Sequence, residues 1–326
     1  MYTYLICLYF TITGKKHVIK GVSGCFKAGE MTAIMGPSGA GKSSLLNILT
    51  GFREAEGTIR CTGPLQNRRG AKQHSKYSCY ILQDDSLDPL FTVEETMKIA
   101  AELKLGRKVS EKAKQFLIED ILEALLLIPC RNTRCQMISG GQKKRLSVAL
   151  ELIGNPSVLF LDEPTTGLDS SSSKQVITVL KTLVQQGRNI ICTIHQPSAS
   201  LFELFDFVYV MAEGKCIYQG SSTNVVSYLA SFDLNCPKYH NPADYLLEVA
   251  NGDYGKFTDL LEIKGIEKKW RNYTKTENRS ENNYIYREDG DNQISIPQYE
   301  PSEAFKLWVL IKKALKKQLE IGQYLP

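Results

Sequence analysis

The sequence predicts an α/β fold: a parallel-sheet core, an antiparallel β flap before it and a helical insert subdomain within it. Three observations carry this prediction. First, an apolar run, Met31 to Met35, turns through Gly36-Pro37-Ser38-Gly39-Ala40-Gly41-Lys42-Ser43-Ser44 into a stretch with apolar residues at Leu45, Leu46, Ile48 and Leu49. Second, the short buried-type runs Ser157–Leu161 and Asn189–Ile194 alternate with helical patterns, as parallel strands joined by crossovers do. Third, the segment over about 86–150 is helical in period and interrupts that alternation.

The strand–glycine turn–helix at 31–50 is the pattern of a phosphate-binding loop. Glycines at 36, 39 and 41 let main-chain N–H groups approach phosphate oxygens, and the helix N-terminus adds partial positive charge. Lys42 is placed to reach the β- and γ-phosphates, and the Ser43 hydroxyl to ligate Mg²⁺.

Composition sets the bounds. At 326 residues and 43% hydrophobic content, the chain can bury a substantial core. A net charge of +5 on 40 basic and 35 acidic residues does not suggest a nucleic-acid partner. Nine cysteines without CxxC pairs, and only four histidines, argue against a zinc site and for a reducing compartment. The apolar start, Met1 to Phe10, is far shorter than the roughly 18 residues a membrane span needs, and no other stretch reaches that length.

Before the loop, Tyr4–Ile12, His17–Val22 and Gly24–Lys27 read as two or three short flap strands. Tyr9 and Phe10 are the candidates for stacking on a base, with a packed core face equally open. The next strand, Ser78–Leu82, delivers Gln83-Asp84-Asp85. An amide at a strand end can ligate Mg²⁺ or the attacking water, although a solvated Gln is the commoner outcome. Thr92 begins a capping box for one helix, and Lys112–Leu127 gives another, closed by Pro129.

Ser139-Gly140-Gly141-Gln142 opens the helix Leu146–Ile153 and forms a second candidate anion site, with Ser139 as N-cap and two glycines leaving amides bare. Lys143, Lys144 and Arg145 on its first turn oppose the helix dipole. The strand Ser157–Leu161 ends in Asp162 and Glu163, 120 residues beyond Lys42: Asp162 to hold Mg²⁺, Glu163 to act as general base toward water. A turn through Asp169 leads to the helix Ser171–Gln186, and the strand Asn189–Ile194 ends at His195. An imidazole there can contact a γ-phosphate and orient the base, or simply be a core histidine. A hairpin follows at Phe207–Met211 and Lys215–Tyr218. A polar linker covers 251–300, most polar from about 265. In the last segment, 301–326, Ser302–Glu320 is amphipathic: Phe305, Trp308, Ile311, Leu315 and Leu319 on one face, Lys312, Lys313, Lys316 and Lys317 on the other. Such a helix suits a membrane surface or a partner helix.

Gly36–Ser43, Gln83, Ser139–Gln142, Asp162, Glu163, Asp169 and His195, in that order, resemble the nucleotide-binding domain of ATP-binding-cassette (ABC) transporters over residues 1 to about 250. Tyr80-Ile-Leu-Gln-Asp-Asp85, the cations after Gln142, Thr193-Ile-His-Gln-Pro197 and Asn241-Pro-Ala-Asp244 are similar to the G subfamily, which includes the White proteins and sterol exporters. The resemblance implies a P-loop NTPase cassette that binds and hydrolyses ATP with Mg²⁺, with Ser43, Gln83 and Asp162 on the metal and Glu163, Gln83 and His195 in catalysis. It implies two cassettes, in a homo- or heterodimer, meeting head to tail, so that Ser139–Gln142 and Asp169 complete a partner's site. It further implies a transmembrane domain exporting lipids, sterols or other small hydrophobic molecules, a connecting helix at 301–326 and a place on the cytosolic face of a membrane. Members continue into six membrane helices, none of which falls within these residues. The expectation is therefore a fragment, a short isoform or an incomplete gene model. A soluble non-transport cassette ATPase and a regulatory cassette that sequesters a full-length partner remain the alternatives.

Overall fold

The computed structural model describes residues 7–12, 18–53, 57–62, 77–262 and 301–322. Strands β1 (Cys7–Ile12), β2 (Val22–Phe26) and β4 (Gly57–Thr62) form an antiparallel sheet in the order β2-β1-β4. A six-stranded sheet has the order β5-β6-β7-β3-β8-β9, from β3 (Met31–Met35), β5 (Ser78–Ile81), β6 (Val158–Leu161), β7 (Asn189–Thr193), β8 (Phe207–Ala212) and β9 (Lys215–Ser221). All its pairings are parallel except β8 with β9.

The two-residue period of the strands decides which core each side chain joins. Ile34, Phe160, Ile191, Tyr209 and Met211 point to one face, where they pack with Leu45 and Leu46 of α1 (Lys42–Leu49) and with Ile12 and Phe26 of the antiparallel sheet. Met31, Ala33, Met35, Leu159, Leu161, Ile190, Cys192, Val208 and Val210 point to the other. There they meet helices α2 (Val93–Leu105), α3 (Glu111–Ala124), α4 (Gly140–Leu152), α5 (Ser170–Gln185) and α8 (Pro242–Asn251). β3, β6 and β7 are buried at every position, which is why they read as largely apolar runs and not as an alternation. Two short helices, α6 (Ala199–Phe202) and α7 (Val225–Ala230), complete this side.

Several boundaries differ from the sequence expectation. Of the first expected strand only Cys7–Ile12 is described, and Val22–Phe26 replaces the two runs expected at 17–22 and 24–27. The expected Thr92 capping box forms, Glu95 N–H donating to Thr92 Oγ1 at 3.2 Å and Thr92 N–H to Glu95 Oε2 at 3.0 Å. α3 stops at Ala124, short of Leu127. Leu126 takes a left-handed φ of 56°, Leu127 N–H donates to Leu122 O at 2.8 Å and Leu126 N–H to Glu123 O at 3.0 Å. This is a Schellman end built on leucine, so no glycine marked it in the sequence.

Residues 251–262, expected to open the linker, fold back onto the cassette. Lys215 pairs with Asp259 at 2.9 Å and Glu262 at 2.6 Å, Leu261 is 1% exposed, and its carbonyl accepts from Tyr228. Residues 263–300 lie outside the described residues. The last helix, α9 (Glu303–Gly322), packs on α2 through Val309, 2% exposed, and the Arg107 guanidinium stacks 5.0 Å over Phe305 and 5.6 Å over Trp308. Lys313, expected on the basic face, lies 5.6 Å over the Phe91 ring. Leu307, Trp308, Leu310 and Ile311 remain exposed. The side chains of Leu315, Lys316, Lys317 and Leu319 lie outside the described residues.

Candidate active site

Register brings the loops after four neighbouring strands to one edge. Ile81 pairs with Leu161, Leu161 with Cys192, and Thr193 with Ile34. The ladders run one step further, Asp162 N–H to Ile81 O at 2.9 Å and Ile194 N–H to Ile34 O at 3.0 Å. Loops bearing Gln83, Asp162 with Glu163, His195 and Gly36–Ser44 therefore leave the carboxyl end of the sheet together, where ligands of parallel α/β folds bind.

Gly36 has a φ of 149°, and a Cβ there would sit 2.1 Å from Met211 O, so no larger residue fits. Pro37 and Ala40 close the turn, Ala40 N–H donating to Pro37 O at 3.2 Å, while Ser38 and Gly39 are exposed at its tip. Gly41 is the N-cap of α1, with a φ of 102° and no side chain over the helix start, and no acidic residue lies in the first turn. Those amides are left for an anion. Lys42 is buried and donates to Gly36 O at 2.8 Å and Pro37 O at 3.0 Å. An ammonium has three donors, so one remains. Burial lowers its pKa, and the nearby Glu163 and Asp162 carboxylates pull it back upward. Ser44 lies half-buried beside it. An uncapped helix start, a bare glycine loop and a cation with a spare donor fit a polyphosphate.

Asp162 is the centre of the second half of the site. Its Oδ1 accepts from Ser43 Oγ at 3.1 Å and from Thr193 Oγ1 at 2.6 Å, and its Oδ2 from Tyr80 at 3.1 Å. Ser43 and Asp162, both expected at the metal, are thus in contact. A hydroxyl and a carboxylate, with an amide oxygen within the same edge, form the all-oxygen set that suits a hard cation such as Mg²⁺. Glu163 has a φ of 44°, an uncommon conformation for a non-glycine residue. Its N–H donates to Thr193 Oγ1 at 2.8 Å, and its carboxylate accepts from Thr166 at 3.0 Å.

Not every expected residue is engaged. The Gln83 side chain and the His195 ring are exposed, and among the described residues neither makes a hydrogen bond. Their main chain is what the fold fixes. Lys144 donates to Gln83 O at 2.7 Å, and Asn241, the α8 N-cap, donates to Pro197 O at 3.0 Å, two residues past His195.

Ser139 and Gln142 form a capping box, Ser139 N–H to Gln142 Oε1 at 2.8 Å and Gln142 N–H to Ser139 Oγ at 3.3 Å. Gly140 and Gly141 also have a packing reason: a Cβ would lie 2.9 Å from Leu168 Cδ2 at the first and 3.0 Å from Ser172 Cβ at the second. Asp169 caps α5, accepting from Ser171 and Ser172 N–H at 3.0 and 3.1 Å, and hydrogen bonds from Ser172 hold its carboxyl below the usual range. Ser139–Gln142 and Asp169 thus form one surface. Among the described residues no hydrogen bond links it to the Lys42 loop.

With that geometry in place, comparison with known proteins is informative. The family model described as ABC transporter matches residues 19–166, and a second, described as ABC-2 type transporter, matches 195–273. Protein scarlet of Drosophila melanogaster is 38% identical over 262 residues. The broad substrate specificity ATP-binding cassette transporter ABCG2 of Rattus norvegicus is 39% identical over 249, and ABC transporter G family member 11 of Arabidopsis thaliana 38% over 251. Over residues 19–166 the chain matches the ABC transporter family. It carries that family's ATP-hydrolysing cassette, with relatives in the G subfamily. These alignments cover 77%, 74% and 76% of the chain but only 39%, 37% and 36% of the respective relatives, so the chain spans under two fifths of their length.

Sequence reading gave no role in the candidate site to Tyr80, Thr193, Lys144 or the Asn241 tie to Pro197. Each acts through a partner 44 or more residues away, or, for Thr193, 31 residues away.

Proposed function

We propose that the cassette powers a G-subfamily half-transporter, hydrolysing ATP to drive export of lipids, sterols or other small hydrophobic molecules through a transmembrane domain. The observation that carries this reading is the convergence of the Lys42 loop, Gln83, Asp162 with Glu163 and His195 at the ends of four adjacent parallel strands. Lys42 binds the β- and γ-phosphates with its free donor as the α1 amides take up the oxygens. Mg²⁺, held by Ser43, Asp162 and Gln83, would supply charge neutralisation at the phosphates. Glu163 accepts the proton of the attacking water, and Thr193 pins its left-handed backbone. His195, on a loop held by Asn241, contacts the γ-phosphate.

Ser139–Gln142 and Asp169, unlinked to their own Lys42 loop, complete the site of a second cassette facing head to tail in a homo- or heterodimer. The ABC-2 type transporter match over 195–273 supports attachment to a membrane domain. Among the described residues no helix is long and apolar enough to cross a membrane. The exposed Leu307, Trp308, Leu310 and Ile311 of α9, flanked by Lys306 and Lys312, support a place for that helix along the cytosolic membrane surface.

Calorimetry and phosphate release on the full chain test the reading. Mg·ATP should bind and turn over, and Lys42→Ala should abolish binding by removing the cation at the phosphates. Unchanged affinity in Lys42→Ala would overturn it.

A further inference from the structure

Lys144 is a charged residue in an unusual place: it lies on the inner side of α4 and is 3% exposed. Its ammonium donates to Leu82 O at 3.2 Å and Gln83 O at 2.7 Å and lies 2.8 Å from Asp85 Oδ1. Two carbonyls and one carboxylate thus surround the ammonium. Ser147, on the same face of α4, donates to the same Asp85 oxygen at 2.8 Å. The helix that begins at Ser139 thus grips the chain on both sides of Gln83 while leaving the Gln83 side chain exposed.

A buried ion pair is a poor source of stability, because desolvation offsets most of its attraction and apolar residues of similar volume often do as well. What such a pair does fix is geometry. The peptide it fixes here is the one that carries Gln83.

We infer that Lys144 is a positioning residue, a clamp that makes α4 and Gln83 move as one piece. The inference rests on the metal role given to Gln83 in the proposed function. Through the clamp, the approach of Gln83 to the metal at its own nucleotide and the placement of Ser139 against a partner's nucleotide become a single displacement. Without it, Gln83 stays on a loop whose main chain has lost its anchor, and the metal loses an oriented ligand.

The test is the Mg²⁺ dependence of ATP hydrolysis by the full chain, with nucleotide binding measured separately by calorimetry in EDTA. Lys144→Met should raise the half-saturating Mg²⁺ concentration on the order of tenfold, the usual scale for losing a group that orients a metal ligand, and leave metal-free ATP binding unchanged. Lys144→Arg should recover most of the loss. Asp85→Asn keeps both carbonyl contacts and should give a smaller shift, so it decides the matter if Lys144→Met does not fold. Gln83→Ala should shift the Mg²⁺ requirement alike and add nothing when combined with Lys144→Met. A wild-type Mg²⁺ requirement in Lys144→Met, or in Asp85→Asn where the former is unfolded, overturns the clamp, as does a parallel loss of metal-free ATP binding. A wild-type requirement in Gln83→Ala overturns instead the metal role of Gln83, and the clamp with it.

Discussion

Thr193 donates its hydroxyl proton to Asp162 at 2.6 Å across the β6–β7 pair, and the same oxygen accepts the N–H of Glu163 at 2.8 Å. One hydroxyl on a fully buried residue thereby orients the carboxylate expected at the metal and holds the next residue in its left-handed turn.

Thr193→Val keeps the shape and removes both bonds. The unpaired Glu163 N–H should cost about 1–3 kcal/mol of stability, and hydrolysis should fall roughly tenfold as Asp162 and Glu163 lose their fixed geometry. Urea unfolding and steady-state ATPase assays check this. Wild-type values in both would show that Thr193 orients nothing.

Glu163→Gln should bind ATP and hydrolyse it at least roughly 10²-fold more slowly, the range for a lost general base. The same change removes a carboxylate that raises the Lys42 pKa, so that pKa should move further down. Single-turnover hydrolysis at the wild-type rate would take Glu163 out of the mechanism.

Asn241→Ala removes an N-cap and the bond to Pro197 together. We expect a loss of about 1 kcal/mol from the cap. Amide exchange should accelerate at residues 195, 196 and 198, and kcat should fall while ATP binding at the Lys42 loop is retained. Exchange confined to α8 would mean that the tie does not reach His195.

The framework of the candidate site was legible because its signals are local. Strand, glycine turn and helix follow one another at Met31–Leu49, and Asp162 with Glu163 ends an apolar run, so chemistry and backbone shape are adjacent in the chain. The contacts of Thr193, Tyr80 and Lys144 with the site carry no local signal. Their roles arise only when strand order sets β7 and β5 beside β6, or when α4 lies on the loop after β5. The packing of α9 on the helical insert had no local signal for a related reason. Periodicity finds an apolar face at Phe305, Trp308 and Ile311, but Arg107, Phe91 and Asp88 of the helical insert select Phe305, Val309 and Lys313 for contact. Likewise Asp259 and Glu262 read as linker until Lys215 is known to face them.

The central claim is that Ser139–Gln142 acts on a partner's nucleotide. The most direct measurement is ATPase activity of the full chain against protein concentration, with sedimentation of the same samples. Specific activity should rise with concentration as dimers form. Ser139→Arg, which fills the space beside Gly140 and Gly141, should abolish that activity while ATP binding persists. Mixing Ser139→Arg with Lys42→Ala chains should restore at most one composite site per dimer. Specific activity that stays constant on dilution, in samples sedimenting as monomers, would contradict the account.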